Sequence, residues 1–189
     1  MSSVSGFVQS IEKKVVSLTV ENMTYSVVMP LVEVLDGAAE LSVDLFRRAL
    51  EKLEISSTWL EDMLEELREG DDYHRVLLHG GDGYEIVLAV WPEGTGTLVH
   101  NHGASDSFGM VKVLEGEIFN HLYHRDEVDC LQLGAQTVCK PGDMIGVPKG
   151  LLHRMGNACK SGPAASLHVY SPAIVDVSYW DPETLAPCQ

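Results

Sequence analysis

Two histidine patterns in the second half of the chain have spacings suited to metal chemistry. His100-Asn101-His102 sets two imidazoles two residues apart. In an extended strand, residues i and i+2 point to one face, so both rings can grip one ion. His153 sits in a longer pattern: Gly142, five residues, Pro148-x-Gly150, two residues, His153, three residues, Asn157. Glycine and proline at those offsets bracket a strand, a tight turn and a second strand, and the turn fixes where His153 points. Each pattern taken alone has a plain reading too. An H-x-H pair suits a solvated surface, and a lone histidine suits a satisfied core position.

The elements that must position these residues change character near residue 70. Beyond it, short β-rich runs alternate with Gly, Pro, Asn and Asp clusters, at 75–79, 85–91, 109–114, 117–123, 130–133, 135–139, 144–147 and 166–170. Such spacing predicts an all-β barrel or sandwich. Gly80-Gly81-Asp82-Gly83 predicts a hairpin turn between the first two runs. Before residue 70 the pattern is helical. Phe46, Ala49, Leu50 and Leu53 recur at three- and four-residue steps. Thr58-x-x-Glu61 predicts a capping box opening a helix over 60–67, and Gly70 stops it. Residues 5–35 read as further helical segments punctuated by Pro30 and Asp36-Gly37. The expectation is one mainly β domain over 1–189, with a helical cap at 1–70 and a barrel at 71–189.

The histidine patterns resemble the two cupin motifs. Gly94, five residues, His100-x-His102 and a closing Gly116 are similar to the first. Gly142, Pro148, Gly150, His153 and Asn157 match the second throughout. The resemblance implies a cupin jelly-roll barrel in which His100, His102 and His153 converge on a metal. Most metal-binding cupins add a glutamate after H-x-H. Counted forward from His102, that slot falls on Asp106 or Ser107; counted back from Gly116, it falls on Gly109. The default ligand set is three neutral imidazoles with open coordination positions, and Asp106 is an additional candidate. Such a set suits zinc, iron, copper or nickel. Zinc would point to hydrolysis by a metal-bound water, iron(II) to oxygen chemistry.

From residue 73 to 172 the chain resembles the type I cysteine dioxygenase family. Three stretches carry this: Tyr73-His74-Arg75; Trp91-Pro92-Glu93-Gly94 leading to His100-Asn101-His102-Gly103; and Ser166-Leu167-His168-Val169-Tyr170-Ser171-Pro172. The resemblance implies mononuclear Fe(2+) and oxidation of a small thiol, L-cysteine, by O2 to a sulfinate that keeps both oxygen atoms. It assigns Arg75 to the substrate carboxylate, with Tyr73 beside it. Tyr170 would hydrogen-bond the bound oxygen or the carboxylate, His168 would orient Tyr170, and Ser166 would orient His168. It also implies a cis Ser171–Pro172 peptide. Mammalian members carry a cysteine at the missing-carboxylate slot, crosslinked to the motif tyrosine. Here the slot holds Gly109 or Ser107, so Tyr170 is expected unmodified.

Two other readings share these residues. A 3-mercaptopropionate dioxygenase takes a substrate without the amine, and members with that preference tend to lack the arginine, so Arg75 favours cysteine. A non-catalytic metal-binding cupin has no need of Ser166, His168 and Tyr170. A zinc hydrolase ranks below both, since no general-base carboxylate falls in a motif.

Composition narrows the partners. Against 28 Asp+Glu stand 13 Lys+Arg, a formal charge of −15. That field repels phosphate backbones and anionic lipid, so neither nucleic acid nor membrane is expected as a partner. Arg75 would reverse the field locally for a small anionic substrate. No basic-then-apolar leader opens the sequence, and Cys130, Cys139, Cys159 and Cys188 form no C-x-x-C pair. Reduced thiols, a cytoplasmic location and a monomer or small homo-oligomer are expected. His74, His79, His121 and His124 match no motif and read as surface or packing residues.

Overall fold

The computed structural model describes residues 26–103, 107–128 and 130–186. The helical reading of 5–25, and Asp106 and Cys188, lie outside the described residues. Helices α1 (Met29–Asp36), α2 (Val43–Lys52) and α3 (Ser57–Leu67) come first. The strands follow: β1 (His74–Gly81), β2 (Tyr84–Trp91), β3 (Val99–His100), β4 (Phe108–Glu115), β5 (Ile118–Arg125), β6 (Leu131–Cys139), β7 (Met144–Val147), β8 (Leu152–Asn157), β9 (Ala164–Ser171) and β10 (Tyr179–Trp180). They form two five-stranded sheets, ordered β1-β2-β9-β4-β7 and β10-β3-β8-β5-β6. Every strand pairing is antiparallel. The chain is therefore mainly β, a cupin jelly-roll barrel with a small helical cap.

The helices form where their caps allow. Ser42 accepts a hydrogen bond from Leu45 N and opens α2, which buries Phe46, Ala49 and Leu50. Its far end leaves carbonyls free, and Lys112 Nζ from β4 donates to Leu50 O at 2.7 Å and Leu53 O at 3.0 Å. Helix α3 begins at Ser57, earlier than the expected 60, because Ser56 rather than Thr58 is the cap. Starting there turns Trp59, Met63 and Leu67 to one buried stripe. Pro30 opens α1 instead of interrupting a helix, since the first turn has no N–H bond to lose.

The first sheet has two covered faces. Ile86, Leu88, Val90, Leu167 and Val169 pack outward against Phe46, Leu50, Trp59 and Met63 of the helices. Ala89, Trp91, Val111, Val113, Val147 and Tyr170 point inward and fill the barrel. Strands β2 and β9 are consequently buried at every position. Tyr84 Oη donates to Asp36 Oδ1 at 2.8 Å and ties the cap to β2. The expected turn lies between Gly81 and Tyr84, with Gly83 at φ 82°.

Two strand expectations change. The runs at 130–133 and 135–139 are one strand, β6, because the ladder to β5 resumes on both sides of a bulge at Gly134 and Ala135. Strands β3 and β10 are two residues each, too short to carry a sequence period. The Ser171–Pro172 peptide is cis.

Candidate active site

The three motif histidines meet at one end of the barrel. His100 ends β3 directly opposite His153 of β8, and the chain after β3 brings in His102. One ring nitrogen from each lies within 4.8 Å of the others. His153 Nδ1 donates to Asn120 Oδ1 at 2.9 Å, and His100 Nδ1 donates to Leu98 O at 3.0 Å. An oxygen acceptor at Nδ1 leaves the Nε2 lone pair free on each ring. His102 Nε2 and His153 Nε2 are 3.1 Å apart, and the buried His102 Nδ1 has no hydrogen-bond partner among the described residues. Lone pairs crowded this closely repel unless a cation lies between them. The donor set therefore fits a divalent transition metal, with all three protein ligands nitrogen.

Burial keeps these rings neutral. Desolvation, with His100 nearby, pulls the His102 pKa down to about 3. The same desolvation lowers His100 and takes His153 well below the usual range. His168 is likewise lowered to about 3, by burial first and then by Arg75. An unfolded histidine titrates near 6.5, so the unfolded chain takes up protons first as pH falls. The stability these groups contribute is fully present above that pH and is lost as pH falls below it, for His102 and His168 down towards 3. The thermal midpoint of chelator-treated protein should fall steeply from pH 6.5 to pH 4; a flat profile there would contradict this electrostatic account.

The facing wall is β9. Ser166, His168 and Tyr170 alternate along it and point inward, all buried. Ser166 Oγ lies 2.7 Å from His168 Nε2, and His168 Nδ1 lies 2.7 Å from Tyr170 Oη. Trp91 Nε1 donates to Ser166 Oγ at 3.0 Å and anchors the inner end. If the serine hydroxyl donates to His168 Nε2, then Nδ1–H donates to the phenol, and the Tyr170 proton is free to point into the site. In the reverse arrangement Tyr170 donates to His168. The Tyr170 ring stacks on His102 with centroids 5.4 Å apart. Burial raises the Tyr170 pKa above its ordinary value, which keeps the phenol protonated.

Gly109 of β4, the slot counted back from Gly116, pairs with Tyr170 in register. A Cβ at Gly109 would lie 2.6 Å from Tyr170 Cδ1 and would also run into the Val169 carbonyl. Gly109→Ala should destabilise the protein by roughly 1–3 kcal/mol through overpacking, measured by urea unfolding. No thiol stands at this slot.

Tyr73 and Arg75 lie on the adjoining edge. Tyr73 stacks on Trp91 at 4.7 Å, and burial pushes its pKa up to about 12. Arg75 Nη2 donates to Glu85 Oε1 at 2.5 Å. Glu85 stands opposite Tyr170 in the β2–β9 register and also accepts from Ile174 N at 3.3 Å. Tyr179, opposite His100 in the β3–β10 register, has its ring 6.2 Å from that imidazole.

Glu85, Asn120 and Tyr179 do not appear among the residues chosen by motif. Glu85 carried a readable signal: it is the one charge in the run Tyr84–Trp91, and a buried charge needs a partner. Asn120 carried no such signal, since β5 mixes polar and apolar residues. Tyr179 had no signal, since β10 exists only as a pairing to β3. Of the histidines outside the motifs, His74 contacts Glu69 O, His79 stacks on Tyr84, and the His121 ring lies tilted against Phe119. Among the described residues no helix is long and apolar enough to cross a membrane.

Fold and site together define a cupin carrying a three-histidine group able to hold a metal. Within that class, the chain belongs to the type I cysteine dioxygenase family, whose model (Cysteine dioxygenase type I) matches residues 27–183. Cysteine dioxygenase type 1 of Danio rerio is 31% identical over 118 residues, and that of Rattus norvegicus 29% identical over 121. Each match covers 59% of this chain and 57% of the relative, so the chain spans little more than half the length of these curated proteins. Among solved structures, TT1209 from Thermus thermophilus aligns at 20% identity with a TM-score of 0.47, over 58% of this chain and 94% of that one.

Proposed function

We propose that the protein is an iron(II)-dependent thiol dioxygenase that oxidises L-cysteine to cysteine sulfinic acid. The reaction balances as R–SH + O2 → R–SO2H, with both oxygen atoms on sulfur and no external reductant. The observation that carries this reading is the approach of two groups. Three neutral imidazoles lie on one wall, and the hydrogen-bonded series Ser166–His168–Tyr170 lies on the facing wall. A barrel that only bound a metal would have no use for the second group.

Iron(II), when bound, supplies the site where thiolate and O2 meet and exchange electrons. His100, His102 and His153 would hold it. Three neutral ligands leave the ion its full positive charge, which favours an anionic thiolate. Arg75 would bind the substrate carboxylate through a charge-assisted hydrogen bond, and its planar fork sets the orientation. The Tyr170 hydroxyl, protonated and aimed by His168, would donate a hydrogen bond to oxygen as charge develops there. Tyr73 and Trp91 would exclude water from the carboxylate end.

The test uses one preparation of the full chain. Metal analysis should find iron, and L-cysteine should drive O2 uptake at one O2 per sulfinate formed. The absence of uptake with any small thiol would overturn the reading.

A further inference from the structure

We propose that Glu85 is a specificity-determining residue: its charge, set against Arg75, decides which second functional group a thiol substrate may carry. This inference rests on the proposed carboxylate role of Arg75. The Glu85 residue is 6% exposed, and the Arg75 side chain 26%. Their contact at 2.5 Å makes the carboxylate end of the site an ion pair rather than a lone cation. Glu85 does not point away from the site. It stands across from Tyr170 on the barrel's inner side, and the Ile174 N–H fixes its carboxylate from the segment after β9.

A fixed anion beside the guanidinium has two consequences. An incoming carboxylate gains hydrogen bonds from Arg75 but meets repulsion from Glu85. An incoming ammonium meets repulsion from Arg75 but gains attraction from Glu85. The pair therefore narrows the preference for anionic thiols that Arg75 alone would impose. Field effects of this kind are large for partly buried charges a few ångströms apart.

Glu85→Gln removes the charge and keeps an amide oxygen that can accept from Arg75 and Ile174 N. Three thiols report the effect by equilibrium titration calorimetry and by kcat/KM: 3-mercaptopropionate (anionic end), cysteamine (cationic end) and 2-mercaptoethanol (neutral end). Binding of 3-mercaptopropionate should tighten on the order of tenfold, cysteamine should weaken by a similar factor, and 2-mercaptoethanol should stay within twofold. A structural role would move all three together; that result, or no movement, overturns the proposal. If Glu85→Gln does not fold, Arg75→Gln gives the mirror test. It leaves the Glu85 charge, so cysteamine should tighten and 3-mercaptopropionate weaken, and any other pattern overturns the proposal. Failure of the unmodified protein to bind or oxidise any thiol would instead overturn the functional reading, and this inference with it.

Discussion

His153→Ala protein should lose metal affinity by at least 100-fold and with it all thiol-dependent O2 uptake. His153 is 0% exposed and sits directly across from His100, with its Nδ1 held by Asn120. Its strand β8 is held between β3 and β5. Loss of a supporting residue such as Asn120 typically costs 10–100-fold in metal affinity, so loss of a ligand itself must cost more. Asn120→Ala provides the graded control, with a loss of roughly 10–100-fold. Metal content after dialysis and competition against a chelator measure both variants. Full metal content in His153→Ala would remove His153 from the ligand set.

The second large effect is expected from Arg75→Ala. The KM for L-cysteine should rise by roughly 30–300-fold, the loss expected when a charge-assisted hydrogen bond to a carboxylate disappears. The kcat at saturating cysteine should change less, since the thiolate would still reach the metal. A second consequence follows from the partner left behind. Glu85 remains buried with no cation, and breaking a buried pair on one side costs about 3–5 kcal/mol of stability. Removing both residues together should cost less than the two single losses added, a coupling read from a double-mutant cycle. Arg75→Lys should not restore the KM, because a point charge lacks the planar fork. An unchanged KM in Arg75→Ala would remove the carboxylate role.

The two effects test the histidine group and the proposed carboxylate site, and they differ in how far the residues could be read beforehand. His100, His102 and His153 stand in patterns whose meaning is local. A period of two is the reading for His100 and His102, although β3 ends at His100 and His102 lies just beyond it, while the Gly–Pro offsets before His153 shape a turn. The same period places Ser166, His168 and Tyr170 together on β9, where the side chains do bond in series. The helical stripe of Phe46, Ala49 and Leu50 follows the same kind of rule and holds, while the start of α3 shifts because Ser56, not Thr58, caps it.

Local sequence sets which residues each strand carries and which face they take. Which strands stand across from one another is chosen only as the chain folds. Register sets Gly109 against Tyr170, a β4–β9 pairing that no spacing could rank. Strand pairing within each sheet brings Asn120 to His153 across 33 residues and Trp91 to Ser166 across 75. Arg75 and Glu85 are only ten residues apart, yet their pairing depends on a hairpin with a bulge between Leu77 and His79. Local periodicity is a property of backbone geometry and is written in every stretch of chain. Pairing between distant strands is chosen by how two sheets and a helical cap bury their faces at once, and that choice belongs to the folded whole.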